Sequence, residues 1–286
     1  KLYSRVGNSM SNFTDFISSG GGGATVAFNV PITKSQTWTP PYNGVGTIHL
    51  IGAGGGGGGK SSGMSMSGGG GGGYCNKEVT FSTGTNWTFV IGARGGVASG
   101  NHSLATGSAG GNTTATDGTI SLAANGGAGG LAGTAAGGTA SGGTVNFSGG
   151  QSIVGGCGGA IGTQATGASS ATGYANQWSV ATADSDFIGP YDPLAYGVLT
   201  GGSKGGAGVN LSAANTYSQA GHGGFGGGGG FAMTSVGGLH CAAGSGEIGG
   251  GGGSYNNPSN STVINWSVNP GSGGVGLILI QYKTIT

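Results

Sequence analysis

Val45-Gly46-Thr47-Ile48-His49-Leu50-Ile51 runs without a break into Gly52-Ala53-Gly54-Gly55-Gly56-Gly57-Gly58-Gly59. The first half is strongly strand-forming. The second half, met alone, reads as a flexible linker. Similar junctions recur at Trp87-Thr88-Phe89-Val90-Ile91-Gly92 and, in reverse, at Gly273-Gly274-Val275-Gly276-Leu277-Ile278-Leu279-Ile280. Further glycine runs lie at 68–73, 226–230 and 249–253, and glycine makes up 76 of the 286 residues. Good strands joined repeatedly to polyglycine imply that the glycine is itself packed secondary structure.

Between the pure runs the glycines keep a period of three. Gly126-Gly127-Ala128-Gly129-Gly130-Leu131 and Gly155-Gly156-Cys157-Gly158-Gly159-Ala160 place their other residues three apart, as do His222 with Phe225 and Ser272 with Val275. Three residues make one turn of a polyproline II helix, which has no internal hydrogen bonds. Side chains then fall on one edge, and the bare edges let neighbouring helices approach and pair their amides. Glycine costs about 0.5–1 kcal/mol more than alanine to order, so only a packed layer with reciprocal hydrogen bonds offsets it.

Strands are expected at 24–31, with Val26, Phe28 and Val30 on one face, from Val45, and at 277–282, while 37–44 reads as a turn. A hairpin is expected from 77–81 to 87–91 through 82–86, and a short strand at 119–122 after the Asp117-Gly118 turn signal. No segment carries a 3.6-residue apolar stripe. The fold class is therefore all-β with packed polyglycine II helices: a small β-sheet or sandwich plus a glycine-rich layer, with almost no α-helix. Residues 1–23 read as a lead-in or attachment segment and 24–286 as the glycine-rich domain.

Charged residues are only 5% and the net charge is +1. That balance argues against a nucleic-acid surface, and no apolar stretch is long enough for membrane insertion. Residues 1–30 lack a signal peptide's charged start and apolar middle, and opening on Lys1 suits a processed product or fragment. Cys75, Cys157 and Cys241 have no metal spacing and read as small buried side chains. The eight Asn-X-Ser/Thr sequons are a weak signal in so Asn- and Ser-rich a chain.

Residues 54–61 form a literal GxxxxGK[ST], but a phosphate loop must open a helix, and 62–73 is too glycine-rich for one. Residues 59–63 match GxSxG and fail for the same reason. His49, His102, His222 and His240 lack metal spacing, and His49 reads as a half-exposed sheet residue. Asp184, Asp186 and Asp192 read as solvated loop acids. No catalytic residues and no cofactor are expected.

The glycine-poor stretches 163–200 and 254–269 are the candidate binding loops. The first is long for a loop without a function. Their aromatic and amide side chains suit sugar faces and hydroxyls, which nominates Tyr174, Trp178, Tyr191, Tyr255, Asn256 and Trp266.

The ordered series Trp38-Thr39-Pro40-Pro41-Tyr42-Asn43-Gly44-Val45, Ile51-Gly52-Ala53 with its six glycines, 70–74, 87–96, 125–130 and 273–280 resembles the glycine-rich receptor-binding tips of tailed-bacteriophage fibres. The resemblance spans about residues 37–282 and carries over no binding residue. It implies a small β structure joined to packed polyglycine II helices, with variable loops touching the host. Its expected function is a non-catalytic adhesin for a bacterial surface glycan or outer-membrane protein. Expected partners are that receptor and other fibre subunits, as a homotrimer. The expected location is the virion's fibre tip, after assembly in the host cytoplasm. The alternatives are a structural subunit of an extracellular filament or coat and, more remotely, an ice-binding face.

Overall fold

The computed structural model describes residues 27–60, 66–97, 105–154, 158–159, 209–211, 217–219, 229, 232–234, 240–246, 248–256 and 270–284. Two five-stranded antiparallel sheets organise them. The first has the order β1 (Ala27–Ile32), β16 (Leu277–Thr284), β3 (Gly44–Ile51), β5 (Tyr74–Phe81), β10 (Val145–Phe147). The second has the order β2 (Gln36–Trp38), β6 (Trp87–Val90), β7 (Thr113–Thr116), β8 (Ser121–Ala124), β9 (Ala140–Ser141). There is no helix among the described residues. The chain is all-β there.

Alternation makes the core between the sheets. Ile48 and Leu50, Cys75, Val79 and Phe81, and Ile278, Ile280 and Tyr282 face Trp87, Phe89, Ala115, Leu122 and Ala124. Phe28, Tyr282, Phe81, Trp38 and Phe89 form a chain of ring contacts through it. Gly44 and Gly46 leave room for Tyr282, because a Cβ on either would collide with it or with the backbone beside it. A second cluster of Ile51, Tyr74, Leu277 and Leu279, with Val145, Phe147 and Ile248 against it, covers the other face of the first sheet.

Three sequence expectations are corrected. The 77–81 to 87–91 hairpin does not form, because β5 and β6 belong to different sheets. Residues 82–86 cross between them, so that Phe81 and Trp87 meet in the core with ring centroids 5.9 Å apart. Thr37 and Trp38, read as part of a turn over 37–44, belong instead to β2, paired with β6. His49 is buried, at 7% exposure: the outer sheet face on which alternation places it is itself covered next to Leu279. The 277–282 strand extends to Thr284. The Asp117-Gly118 signal does mark a turn, with Gly118 at φ 93°, between β7 and β8.

Where side chains stop, the two sheets close on each other. Facing sheets stand about 10 Å apart when side chains fill the gap. Beyond Ile51 the side chains vanish, and segment 52–59 hydrogen-bonds directly to continuations of the second sheet: Ala53 N–H donates to Gly111 O, Gly56 to Ser108 and Gly127 to Ala53. The bonds keep a strict period of three. Gly52, Gly55 and Gly58 donate to Gly73, Gly70 and Ser67; Ala53, Gly56 and Gly59 to Gly111, Ser108 and Ala105; Gly54 and Gly57 to Gly274 and Gly271.

Segment 52–59 is thus ringed by 67–73, 105–111 and 271–274, to which it donates, and by Gly95, 127–130 and Gly252, from which it accepts. Segment 67–73 is ringed in the same way by 52–58, 125–131, 249–252, Gly138, Gly150 and Gly159. A Cβ on Gly54, Gly55, Gly56, Gly57, Gly69, Gly70, Gly72 or Gly73 would fall on a carbonyl oxygen of an adjacent segment. Outer segments have a free edge and carry side chains there: Thr106, Ala109 and Asn112 are exposed at intervals of three, as is Val275 between buried Gly274 and Gly276.

Gly70→Ala is expected to destabilise the protein by about 1–3 kcal/mol or more, as overpacking does. Gly84→Ala, where an added Cβ meets nothing within 4 Å, should be neutral or slightly stabilising. Urea unfolding of the two variants checks this, and equal midpoints would refute the close-packed arrangement.

Candidate functional site

Tracing the segments shows which end of the molecule carries the connections. Segment 52–59 leaves the sandwich from β3, and 67–73 returns into β5. Residues 92–97 leave β6 and 105–111 return to β7. Residues 125–131 leave β8 and 135–139 return to β9, while 148–154 leave β10 and 270–276 return to β16. Antiparallel bonds tie each of the first three pairs, such as Gly58 to Ser67, Ser108 to Gly96 and Ala128 to Ala136. The connections 61–65, 98–104 and 132–134 therefore all start and finish at the end of the glycine layer farthest from the sandwich. Ala27, paired with Lys283, stands at the opposite end.

Short parallel ladders extend this loop-bearing end. β11 (Val209–Leu211), β13 (Ala232–Thr234), β15 (Tyr255–Asn256) and β4 (Gly59–Lys60) pair in that order, and β12 (Tyr217–Gln219) pairs with β14 (His240–Ala242). Val209 and Ala232, Ala232 and Tyr255, and Tyr217 and His240 are each partners 23 residues apart. Of the nominated residues, Tyr255 and Asn256 belong to this ladder. Tyr174, Trp178, Tyr191 and Trp266 lie outside the described residues, as does the proposed lead-in 1–23.

One short connection at this end was not anticipated. Ser67, fully buried, holds Leu131 by three hydrogen bonds: Ser67 N–H and Oγ–H donate to Leu131 O at 2.9 and 3.1 Å, and Leu131 N–H donates to Ser67 Oγ at 3.0 Å. The Leu131 side chain is nevertheless 38% exposed, beside exposed Ala132 and Thr134. Its sequence signal was only four residues between two glycine segments, too brief to stand out as a loop.

A family profile described as a glycine-rich domain matches residues 30–283. The chain belongs to that glycine-rich domain family. No individual curated protein matches it significantly.

Within the glycine-rich domain the phosphate-loop look-alike is chemically spent. The N–H groups of Gly54, Gly55, Gly56, Gly57 and Gly58 already donate to Gly274, Gly70, Ser108, Gly271 and Ser67, so these five are not free for a phosphate. Among the described residues no cluster of His, Cys, Asp and Glu could hold a metal. A linked polar group lies on the outer face of the first sheet. His49 Nε2 meets Gln281 Oε1 at 3.1 Å and Nδ1 meets Tyr74 Oη at 2.8 Å, while Asn76 Nδ2 donates to Tyr74 Oη at 2.9 Å. Gln281 Oε1 only accepts, so Nε2 carries the proton, and in the neutral ring Nδ1 accepts from Tyr74. These bonds satisfy a buried histidine within a sheet.

Burial pushes the Cys75 thiol up to about 12, and its S–H donates to Ala123 O at 3.7 Å. Burial, with Tyr42 beside it, pushes Tyr282 up to about 12. In the unfolded chain these groups ionise near 9 and 10, so above pH 9 the unfolded state releases protons that the folded state keeps. Stability should hold below pH 9 and fall progressively from pH 9 to 12, as urea midpoints across that range would show. Cys75→Ala should flatten the first part of the fall.

Proposed function

We propose that this glycine-rich domain is the receptor-binding tip of a bacteriophage tail fibre, with glycine segments that are polyglycine II helices. The strict three-residue order of their hydrogen bonds supports the helix assignment, since a helix of three residues per turn returns the same edge to the same neighbour. The observation that carries the function is the polarity of the molecule. Connections gather at the end of a close-packed, nearly uncharged layer, while Ala27, through which residues 1–26 join, stands at the other. Such a layer holds its connections in place without side-chain packing of their own, so their sequences are free to change with the receptor.

In this reading the loop-bearing end meets a bacterial surface glycan or outer-membrane protein and binds without cleaving it. The opposite end faces the rest of the fibre in the virion, where the subunits are proposed to form a homotrimer.

Streptavidin bound to a biotinylated non-natural residue at Thr134, on the loop-bearing end, should abolish adsorption to host cells. The same label at Thr83, in the 82–86 crossing at the other end, should leave adsorption within about twofold. Equal effects at the two positions would defeat the assignment. Long fibres of the purified chain in negative stain would instead favour the filament subunit.

A further inference from the structure

One outer face of the sandwich carries a buried apolar cluster and the other is exposed. On the first sheet Ile51, Tyr74, Leu277 and Leu279 are buried, with Val145, Phe147 and Ile248 packed against them. The second sheet buries Trp87, Phe89, Ala115 and Leu122 inward, so alternation turns their neighbours out. Register sets these in straight rows: Thr37 stands beside Thr88, Thr88 beside Thr116, and Thr116 beside Ser121. Thr37, Thr88 and Ser121 are exposed and Thr116 is half-buried. The next row runs Val90, Thr114, Ala123, Ser141, and Val90 is 43% exposed. The face continues onto the glycine layer, where exposed Val97, Ala109 and Ala136 stand on segments that continue β6, β7 and β9.

Charge separates the two faces as well. The first sheet holds Lys77, Glu78 and Lys283, whereas the strands of the second contain no Lys, Arg, Asp or Glu. Lys34, Arg94 and Asp117 lie outside those strands: before β2, after β6 and in the turn between β7 and β8. Interfaces show the same distribution, with charge depleted at the centre and polar groups at the rim. A face that meets its own copy has a further requirement, because a charge near its centre would approach the same charge on the partner. Threonine meets it: each hydroxyl both donates and accepts, so a hydroxyl row can pair with an identical row. Its branched side chain also has little rotamer freedom to lose. Size agrees. Five strands about 4.8 Å apart, and the run from Thr88 to Val97, give a face about 20 Å by 30 Å. That is about 600 Å² before side-chain relief, against about 800 Å² per partner in a stable interface.

We propose that this face is where a second copy of the chain packs, hydroxyl row against hydroxyl row. The surface deepens the assembly reading above and rests on it only for the number of copies: in the homotrimer, three such faces turn toward one axis. The contact runs along the flank of the molecule, so both of its ends stay free.

Light scattering of the purified full chain at micromolar concentration tests this. A mass three times that of the 26.9 kDa chain is expected; a dimer would support the face and remove the homotrimer. Thr88→Lys and Val90→Lys, which bring like charges together across the contact, should each lower the mass to that of one chain. Thr80→Lys, at an exposed position of the first sheet, should leave it unchanged. An unchanged tryptophan emission maximum shows that the variants fold, since Trp87 is fully buried. Mixing Thr88→Lys with Thr88→Glu should restore the assembly, which misfolded chains could not do. A monomeric intact chain, assembly that survives both lysines, equal dissociation by Thr80→Lys, or a mixture that stays monomeric would overturn the proposal. None of these results touches the labelling comparison of Thr134 with Thr83, which tests the receptor-binding reading separately.

Discussion

Everything in this fold depends on carbonyl oxygens standing where a Cβ would be. In segments 52–59 and 67–73 the Cβ position of Gly54, Gly55, Gly56, Gly57, Gly69, Gly70, Gly72 and Gly73 falls on the oxygen of a neighbouring segment. The Cα–H that occupies that direction instead makes a weak hydrogen bond worth about 0.5–1 kcal/mol. Each N–H bond adds about 1 kcal/mol net, against about 0.5–1 kcal/mol for ordering a glycine rather than an alanine. The terms nearly cancel for an isolated pair of segments. They favour order only when a segment is surrounded, because then each donor, acceptor and Cα–H has a partner. An inner segment cannot peel away without exposing the amides of the six around it.

The sandwich supplies what the glycine layer lacks: a register. A glycine segment has no side chains with which to choose its partner, so its pairing is set where it meets a strand. β3 pairs with β5 and β16, and their continuations 52–59, 67–73 and 271–276 remain neighbours in the layer. In the same way β6, β7, β8 and β9 carry their order into 92–97, 105–111, 125–131 and 135–139. Strand pairing is specific because burying Ile48, Leu50, Ile278 and Ile280 is worth about 1.5–3 kcal/mol each, and a one-residue slip would turn them outward. The aromatic and aliphatic core therefore sets the geometry of loops that lie at the far end of the glycine layer.

Much of this was legible in the sequence, and the failures share a cause. β3 and β16 are apolar and β-branched, and they declare themselves; so does the period of three around Ala128, Leu131, Ser272 and Val275. Strand partners were misread where nearness in sequence seemed to settle them. Residues 82–86 look like a hairpin turn, yet Phe81 and Trp87 gain more by meeting across two sheets than by lying side by side in one. Thr113-Thr114-Ala115-Thr116 carries little strand signal because only Ala115 on its inner face is apolar, and it suffices there because the facing residues are large. The 23-residue recurrence that aligns Val209 with Ala232, and the glycine run 226–230 with 249–253, was visible to self-comparison. It was hidden by expecting strands to announce themselves by hydrophobicity, whereas these repeat by position. Of the nominated binding residues, Tyr255 and Asn256 stand at the loop-bearing end, and the pairing of Asn256 with Lys60 could not be read from spacing at all.

The chemistry of the scaffold also explains why charge is so scarce. A layer held by amide bonds and close backbone contact is neutral along its length, so its stability should respond little to ionic strength, unlike one built on surface ion pairs. It also leaves the electrostatics of the loop-bearing end to a few residues.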